Sequence, residues 1–491
     1  MKKIPKKLTH NQSDQLPDIR FGTDGWRGVI SDTFTFKNVA AVAQAVGEWV
    51  GRDLRRIPSQ PPRVAVGYDT RFLSAEYAQI VSCVLAANGL EVRLSDTSIP
   101  TPALSLGVTT TRSVAGIMIT ASHNPAKFNG IKIKTAKGGA ASRDITDRVE
   151  GYLYQSEVKN LDWEQAQKEK RVILHDYKKE YIKFLRGYID LPKIRKSALK
   201  VLTDLMHGSG DAFMLEILKG TKIRLFLMRE TSDPTFEGSK PEPVPELLGG
   251  IMRRVPREKF DLGLVLDGDA DRIAAITAQG EFINPQKILG LLIVHLVRNR
   301  SKKGGIVKTI CGTTMIDHIA RQLNLKLYET PVGFKYISEL MTSEDILIGG
   351  EEAGGIGFQG YIPERDGTLA GLLLLEMMVY HKKPLKKLIR ELKEEFGSYY
   401  YERLDLKLDG KTFDLDKIKA QKRILGKKVV DLKDFDGVKL ICEDESWLMF
   451  RPSGTEPLVR IYAEAKSLTK ARELIRYGKS LIGKSYSATQ N

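Results

Sequence analysis

Ser122 lies in a segment whose residue types could support nucleophilic chemistry, Thr120-Ala121-Ser122-His123-Asn124-Pro125. The preceding residues, 116–120, are apolar and β-branched, which predicts a buried strand. Pro125 prevents regular structure from continuing, and Asn124 favours a turn. Ser122 is therefore predicted on a tight loop at a strand's end, where α/β sheets usually bind ligands. A plain surface Ser-His turn is the alternative that this segment alone leaves open.

Three aspartates at alternate positions, Asp267, Asp269 and Asp271, directly follow the strand-like residues 263–266. Carboxylates this close repel one another, so we expect the cluster to destabilise the fold unless a cation is bound. Oxygen-rich clusters suit hard divalent ions, magnesium in particular. An EF-hand would require Gly directly after the third Asp, where this chain has Arg272. A solvated acidic turn is the remaining alternative.

Two further loops contain groups suited to sugars and phosphates. Glu351 and Glu352 are flanked by glycines, so their carboxylates have little steric cover and could bind sugar hydroxyls. Residues 451–460 combine two guanidinium groups, two hydroxyls and a permissive glycine, which suits a phosphate dianion. The residues expected to form this phosphate cradle are Arg451, Ser453, Gly454, Thr455 and Arg460. A structural turn with incidental arginines is the alternative.

The four loops together resemble those of the α-D-phosphohexomutases, the phosphoglucomutase and phosphomannomutase superfamily, over residues 20–460. The resemblance implies that Ser122 is a phosphoserine and that its phosphate and the three aspartates bind magnesium. It also implies catalytic roles for His123, for Lys132 as general acid/base, and for Arg27 within the motif at residues 21–28. Further residues that it places at the substrate are Arg272, Lys335, Glu351 and Ala353. Many relatives have Ser where this chain has Ala353, so the resemblance implies less about sugar specificity than about the other properties.

The resemblance implies an intramolecular phosphotransferase that interconverts hexose 1-phosphate and hexose 6-phosphate. Glucose 1,6-bisphosphate is the expected intermediate and activator. Residues 331–336 resemble the phosphoglucomutase branch, which favours glucose as the sugar. Phosphomannomutase or phosphoglucosamine mutase activity is the alternative within this chemistry. A non-catalytic sugar-phosphate-binding protein is the alternative from another class, although such a protein should have lost Ser122, an aspartate of the cluster or Lys132.

Composition indicates a soluble, cytoplasmic protein, and the resemblance implies that its partners are small hexose phosphates. Three widely spaced cysteines in 491 residues indicate neither a disulfide framework nor a zinc site. No apolar run is long enough to span a membrane. The net charge of +16 raises the possibility of nucleic-acid binding. The excess lies in short clusters without arginine-rich arms or zinc fingers, so we expect a solvated surface and no nucleic-acid partner. A monomer or dimer is expected.

The elements that position these loops alternate between strands and helices, which predicts an α/β fold. We expect three similar mixed α/β domains and a C-terminal α+β domain around a central active-site cleft. A disordered N-terminus at 1–15 is predicted to precede them. The predicted domains are 16–170 with the serine loop, 171–282 with the aspartate loop, 283–390 with the glutamate loop and 391–491 with the phosphate loop.

Overall fold

The computed structural model describes residues 19–22, 24–54, 61–210, 213–408, 413–453 and 458–486. The predicted disordered N-terminus, residues 1–15, lies outside these ranges. Within the described part of the chain, no helix is both long and apolar enough to cross a lipid bilayer. The described strands form four sheets, one after another along the chain.

The first sheet has six strands in the order β1-β5-β4-β2-β3-β6. They are β1 (Trp26–Val29), β2 (Arg63–Tyr68), β3 (Glu91–Ser95), β4 (Ala115–Ile119), β5 (Phe128–Thr135) and β6 (Val172–His175). β2 runs parallel to β3 and β4, whereas β5 is antiparallel to β4 and β1. Every residue of β4 is buried, as expected for a strand covered on both faces. The first sheet extends to β6, beyond the predicted boundary at residue 170.

Within the described residues, seven helices lie between residues 36 and 194. They are α1 (Phe36–Trp49), α2 (Ser74–Ala87), α3 (Thr101–Thr110), α4 (Arg143–Tyr152), α5 (Trp163–Lys168), α6 (Tyr177–Tyr188) and α7 (Leu191–Ile194). A π-helical turn, Val50–Leu54, continues α1. Thr35, Ser142, Asp162 and Asp176 cap α1, α4, α5 and α6, each accepting a backbone N–H that the helix itself leaves unpaired.

The second sheet has five strands in the order β11-β10-β9-β7-β8. They are β7 (Lys200–Asp204), β8 (Arg224–Met228), β9 (Leu262–Leu266), β10 (Ile273–Thr277) and β11 (Phe282–Ile283). Its helices are α8 (Phe213–Leu218) and α9 (Gly249–Arg257), with short 3₁₀ turns at Phe236–Gly238 and Pro245–Leu247. β7 is parallel to β8 and β9, and β10 turns back antiparallel to β9.

The third sheet has four strands in the order β13-β12-β14-β15. They are β12 (Gly305–Thr309), β13 (Leu327–Thr330), β14 (Ile346–Gly350) and β15 (Ile356–Phe358). Its helices are α10 (Pro285–Arg298), α11 (Thr314–Gln322), α12 (Phe334–Ser343), α13 (Gly367–His381) and α14 (Leu385–Phe396). The boundary predicted between residues 390 and 391 falls inside α14.

The described residues of the C-terminal part form an antiparallel six-stranded sheet with two helices, in the strand order β16-β21-β20-β19-β18-β17. Its strands are β16 (Tyr400–Lys407), β17 (Arg423–Ile424), β18 (Lys427–Lys433), β19 (Val438–Cys442), β20 (Trp447–Pro452) and β21 (Leu458–Ala465). The helices are α15 (Leu415–Lys419) and α16 (Leu468–Tyr486). This confirms the predicted α+β class of the C-terminal part.

The first three sheets share one four-stranded arrangement. The order β5-β4-β2-β3 in the first sheet corresponds to β10-β9-β7-β8 in the second and β15-β14-β12-β13 in the third. In each, parallel strands end in one antiparallel hairpin. The predicted similarity of the three α/β domains is confirmed. The hairpin turns contain Ser122, the three aspartates and Glu351, so the shared topology places the three loops at equivalent positions.

The apolar core explains how these sheets are held together. The largest buried cluster runs from Ala65 in β2 to Tyr399 and includes side chains from the first three sheets and their helices. The C-terminal sheet has a core of its own, packed against α16. A smaller cluster joins it to the third sheet, with Ile310 and Cys311 against Trp447, Met449 and Tyr462.

Candidate active site

The serine loop forms the turn between β4 and β5 in the first sheet. Ser122 is fully buried there, and its φ of +51° lies in the left-handed region that residues other than glycine seldom adopt. The Ser122 N–H donates to Thr120 Oγ1 over 2.9 Å. Ser122 Oγ donates to Asp267 Oδ2 over 2.9 Å, which directs the hydroxyl toward the aspartate loop of the second sheet.

His123 and Arg27 lie beside the serine. His123 Nδ1 is 3.5 Å from Ser122 Oγ, at the limit of a hydrogen bond. Burial, together with the positive charges of Arg272 and Arg27, holds the pKa of His123 well below its ordinary value. The imidazole is therefore neutral at physiological pH. Arg27 Nη1 donates to Asn124 Oδ1 over 2.8 Å, which fixes the guanidinium next to the serine loop.

The three aspartates lie on the turn of the β9–β10 hairpin, where Leu266 pairs with Ile273. All three side chains are buried, and one carboxylate oxygen of each lies within 4.8 Å of the others. Asp269 Oδ1 and Asp271 Oδ1 are buried without a hydrogen-bond partner among the described residues. Such oxygens are unfavourable in a protein interior unless they bind a proton donor or a cation. This set of donors fits magnesium.

A lysine also lies among the aspartates. Lys132 Nζ, from β5, is 2.9 Å from Asp24 Oδ2, 2.8 Å from Asp269 Oδ2 and 2.9 Å from Asp271 Oδ2. Burial alone would lower the pKa of Lys132, but the three carboxylates raise it above its ordinary value. This ammonium group therefore offsets part of the charge of the aspartates, and the expectation that the cluster destabilises the fold without a bound cation stays a prediction.

Asp267 and Asp269 differ sharply in their electrostatic surroundings. Burial raises the pKa of Asp267 well above its ordinary value, and the charges of Asp271 and Asp269 raise it further. Burial acts in the same direction on Asp269, but Lys132 and the hydroxyl of Thr101 outweigh it and hold that pKa below its ordinary value. Within the cluster, ionisation is therefore unfavourable at Asp267 and favourable at Asp269.

Arg365 is a central residue of this site that the sequence reasoning missed. Its Nε lies 2.8 Å from Asp271 Oδ2, its Nη1 donates to Glu351 Oε2 over 2.8 Å, and its Nη2 pairs with Asp24. One buried guanidinium thus links loops from all three α/β sheets. The sequence did contain a signal for this residue. Residues 364–366 are all charged and stand directly before the apolar helix α13. Only the last of them is needed to cap that helix, so the other two charges required another explanation.

The glutamate loop forms the turn between β14 and β15. Glu351 is buried, and burial raises the pKa of its carboxyl although Arg365 and Arg272 oppose this effect. Arg272 also pairs with Gly355 in an isolated β-bridge, which joins the aspartate loop to this loop through the backbone. Ala353 is half-buried, and its methyl group offers no hydrogen bond to a ligand.

Lys335 lies in the first turn of α12 and is only 7% exposed. Its ammonium group is 5.0 Å from the centre of the Tyr336 ring. Burial and the nearby charge of Arg143 lower the pKa of Lys335. Since Arg143 begins α4 in the first domain, Lys335 lies where the first and third domains face each other.

The predicted phosphate cradle is described in part. Arg451 on β20 lies directly opposite Arg460 on β21, which places two guanidinium groups on one face of the C-terminal sheet. Ser453 donates its N–H to Leu458 O over 2.9 Å. Gly454 and Thr455 lie outside the described residues.

Two aspartates accompany these arginines. Arg451 Nε donates to Asp436 Oδ1 over 2.8 Å, and Arg460 Nε lies 3.7 Å from Asp405 Oδ2. Asp436 Oδ2 also accepts the N–H of Val332 over 2.7 Å. Since Val332 precedes α12, this carboxylate connects the arginine pair to the segment that carries Lys335.

The structure therefore brings most of the sequence-predicted residues into one connected group. Ser122, Lys132, the three aspartates, Arg272 and Glu351 are linked by the contacts given above, with Arg27 and His123 at the serine loop. None of the contacts given above joins the arginine pair of the C-terminal sheet to this group, and Asp436 links Arg451 to Val332 of the third domain. The arrangement can hold a divalent cation beside a buried serine hydroxyl, with a separate cluster of cations for an anionic ligand.

Four family models match successive parts of the chain. Their descriptions are "Phosphoglucomutase/phosphomannomutase, alpha/beta/alpha domain I" at residues 18–159, domain II at 179–280 and domain III at 284–396. The fourth, the C-terminal domain of the same family, matches residues 408–476. Together they cover each of the loops described above.

Proteins similar over the whole chain carry names with different sugars. A phosphoglucomutase/phosphomannomutase from Thermococcus kodakarensis is 30% identical over 94% of this chain and 98% of its own length. A phosphoglucosamine/phosphogalactosamine mutase from Sulfurisphaera tokodaii is 28% identical over 94% and 98%. A crystal structure from Thermus thermophilus that carries a phosphomannomutase name is 32% identical, with a TM-score of 0.84 over 95% of this chain and 99% of that one.

Proposed function

Since this chain belongs to the phosphoglucomutase/phosphomannomutase family, we propose that it interconverts hexose 1-phosphate and hexose 6-phosphate, with glucose phosphate preferred. The observation that carries the proposal is the hydrogen bond from Ser122 Oγ to Asp267 Oδ2 at 2.9 Å. It joins the buried hydroxyl of Ser122 to the carboxylates that fit a divalent cation. Phosphoryl transfer requires the group that carries the phosphoryl to lie next to a positive charge.

Ser122 is the proposed carrier of the phosphoryl group. A serine hydroxyl is a weak nucleophile at neutral pH, so an enzyme that begins as phosphoserine has this difficulty removed in advance. The phosphoserine gives its phosphoryl group to the free hydroxyl of a bound hexose phosphate, and the P–O bond to Ser122 breaks as the new one forms. The resulting hexose 1,6-bisphosphate then turns over, and Ser122 takes back the other phosphoryl group. Glucose 1,6-bisphosphate would also load an unphosphorylated enzyme.

Asp267, Asp269 and Asp271 are the residues proposed to hold Mg²⁺, together with an oxygen of the phosphoserine. When bound, the ion supplies positive charge beside the phosphoryl group that is transferred. Arg27 and Arg272 lie at the serine and aspartate loops respectively and can contribute further positive charge. Neutral His123 adds a polar group beside Ser122 without adding charge.

Lys132 is the residue proposed to exchange the proton of the reacting hydroxyl. The carboxylates of Asp24, Asp269 and Asp271 favour the charged ammonium form. That form suits donation of a proton to the oxygen that loses the phosphoryl group. The same three carboxylates therefore set how readily Lys132 gives up its proton and takes one back.

The arginine pair on β20 and β21 is proposed to hold the phosphate that does not react. The two guanidinium groups face one side of the sheet, and each is already fixed by an aspartate. Charge-assisted bonds from arginine to phosphate are strong and directional. Since the bisphosphate must turn over, we propose that the same pair binds the substrate in both orientations and that the C-terminal domain opens between the two transfers.

The preference for glucose rests on the glutamate loop and on the segment 331–336. Glu351 is the proposed ligand of sugar hydroxyls, and Glu352 is held by a hydrogen bond from Thr309. Mannose differs from glucose in the orientation of one hydroxyl. Ala353 and Gly355 supply no side-chain hydrogen bonds, so we propose activity on both sugars with glucose ahead. Relatives named for glucosamine phosphates make phosphoglucosamine mutase activity the competing assignment.

The test is a comparison of kcat/KM on the 1-phosphates of glucose, mannose and glucosamine, with Mg²⁺ and a trace of the matching bisphosphate. Activity on at least one sugar that is lost in Ser122→Ala supports the mutase assignment, and the ranking of sugars tests the preference. Absence of activity on all three with a fully loaded phosphoserine would contradict the proposal.

A further inference from the structure

The side chain of Arg71 forms hydrogen bonds to the backbone of the serine loop. The residue follows β2, and it is 3% exposed. Its guanidinium donates to four carbonyl oxygens of the loop and of the strand that follows it, over 2.6–3.0 Å. These acceptors are the carbonyls of Ser122, Asn124, Pro125 and Phe128. No other side chain of the described residues makes as many hydrogen bonds to this loop.

The guanidinium is itself fixed on three sides. Arg71 Nε lies 3.3 Å from Asp69 Oδ2, and both side chains are buried. The other oxygen of Asp69 accepts the N–H of Arg71 and the hydroxyl of Ser74. The ring of Phe236, from the second domain, lies 4.9 Å from the guanidinium carbon. A buried guanidinium with a paired carboxylate and an aromatic face keeps one orientation.

The carbonyl of Ser122 lies between this guanidinium and the aspartate loop. Arg71 Nη2 is 2.6 Å from that oxygen. On the other side, a Cβ added at Gly268 would lie 2.5 Å from the same oxygen, so the two loops touch there. Ser122 also has a φ of +51°, an arrangement that persists only where the surrounding structure enforces it. Hydrogen bonds to the carbonyls on both sides of His123 provide that enforcement.

We propose that Arg71 is a positioning residue for Ser122. It acts on the backbone of the serine loop and, through that backbone, fixes the distance between Ser122 Oγ and the aspartate carboxylates. The inference rests on the proposed function, because it assumes that Ser122 carries the phosphoryl group. Misplacement of a reacting group by about 1 Å is enough to slow a reaction about a hundredfold. A lysine at position 71 would keep the charge but could not reach four carbonyls from one planar group.

The test measures the transfer step alone. Parent, Arg71→Lys and Arg71→Gln enzymes are phosphorylated with glucose 1,6-bisphosphate, and the phosphoenzyme is mixed with excess hexose phosphate in a rapid-quench experiment. The single-turnover rate constant for loss of phosphate from Ser122 does not depend on the fraction of molecules that are folded. A purely structural role would lower that fraction and the thermal midpoint without changing the rate constant.

Arg63→Lys is the matched control. Arg63 lies on the strand before Arg71, pairs with Glu91 over 2.8 Å and donates to Thr111 O, but its contacts are away from the serine loop. Phe236→Leu is a second variant that leaves all four acceptors intact and removes only the ring beside the guanidinium. It keeps the inference testable if Arg71→Gln does not fold.

We expect Arg71→Lys to slow transfer about tenfold to a hundredfold, with KM for the hexose phosphate changed less than about twofold. Phe236→Leu should slow it about two- to fivefold, and Arg63→Lys should match the parent. If Arg71→Lys transfers at the parent rate, the inference is overturned while the proposed function stands. If the parent carries no transferable phosphate on Ser122, the proposed function is overturned and this inference with it.

Discussion

The hydroxyl of Ser122 donates a hydrogen bond to the carboxylate of Asp267 over 2.9 Å, although 145 positions separate the two residues in the chain. Each residue lies on the hairpin turn of its own sheet, and the two sheets share a four-stranded arrangement. The contact is therefore made by two equivalent loops of similar domains that face each other. Glu351 lies on the third such turn and reaches the same centre through Arg365.

Asp267→Asn is expected to stabilise the protein in a metal-chelating buffer at pH 7–8. The asparagine keeps the acceptor for the N–H groups of Asp271 and Arg272 and removes a carboxyl that must either bury a charge or keep a proton. Because the raised pKa of Asp267 means that its carboxyl is costly to hold in the folded protein at this pH, whether ionised or protonated, we expect the unfolding free energy to rise. The same variant should lose the increase in thermal midpoint that Mg²⁺ gives the parent. Differential scanning calorimetry with and without Mg²⁺ measures both effects.

Asp269→Asn is the matched control, and it should behave in the opposite way. The carboxylate of Asp269 pairs with Lys132 and accepts a hydrogen bond from Thr101. The neutral amide of the variant would therefore leave the buried ammonium group of Lys132 with one charged partner fewer. Loss of one partner from a buried ion pair costs about 3 kcal/mol or more. Equal shifts of the two variants in the same direction would contradict the different charge states inferred for these aspartates.

The gain from Asp267→Asn should depend on pH with a definite sign. The pKa of Asp267 is raised in the folded protein, so over the range above the ordinary carboxyl pKa the folded state holds a proton that the unfolded chain has released. The parent therefore loses stability as pH rises through that range. The asparagine has no such loss, so the advantage of the variant over the parent should widen from pH 5 to pH 8. An advantage that shrinks with rising pH would contradict the assignment.

Arg451→Gln is expected to lower kcat/KM about tenfold to a hundredfold, because a charge-assisted hydrogen bond contributes about 1.5–3 kcal/mol. The loss should be similar for hexose 1-phosphate and hexose 6-phosphate, since the proposed cradle binds both orientations. Initial rates in both directions check this.

Arg423→Gln is a suitable control for that measurement. Arg423 lies on β17 of the same sheet, is exposed, and donates to Gly426 O over 2.7 Å, outside the phosphate loop. We expect its kcat/KM to stay within about twofold of the parent, as for other surface charges. A loss in Arg451→Gln confined to one direction, beyond what the reaction equilibrium requires, would mean that this arginine does not hold the non-reacting phosphate.

Glucose 1-phosphate is expected to have the highest kcat/KM of the sugars tested, with mannose 1-phosphate active and N-acetylglucosamine 1-phosphate a poor substrate. The half-buried methyl group of Ala353 cannot form a hydrogen bond to a sugar hydroxyl, so discrimination between glucose and mannose should be weak. A tenfold advantage for mannose or glucosamine 1-phosphate, about 1.4 kcal/mol, would contradict the interpretation of the glutamate loop while leaving the chemistry unchanged.

The strands and the chemical loops could be predicted from sequence because each is a local pattern. The strand predicted at residues 263–266 is found as Leu262–Leu266, and the α+β class of the C-terminal part follows from its short apolar strands. The first sheet was harder to delimit, because β6 pairs with β3 about 80 positions earlier, and no local pattern specifies that partner.

The pairing of charges could not be predicted in the same way. Lys132 was expected to act on a substrate hydroxyl, but no spacing in the sequence indicates that it lies between Asp24, Asp269 and Asp271. Arg365 was missed for the same reason, since its partners come from three different loops. Long-range ion pairs depend on how the sheets face one another, which a reading of local residue patterns does not reveal.

The most direct test of the account is the location and reactivity of the phosphoryl group. The protein is incubated with glucose 1,6-bisphosphate and Mg²⁺, and the phosphorylated residue is mapped by peptide mass spectrometry. The phosphoenzyme is then mixed with glucose 1-phosphate. We expect one phosphate per chain on Ser122, its transfer to the sugar within a single turnover, and no phosphorylation of Ser122→Ala. Phosphate found only on another residue, or a Ser122→Ala variant with the activity of the parent, would contradict it.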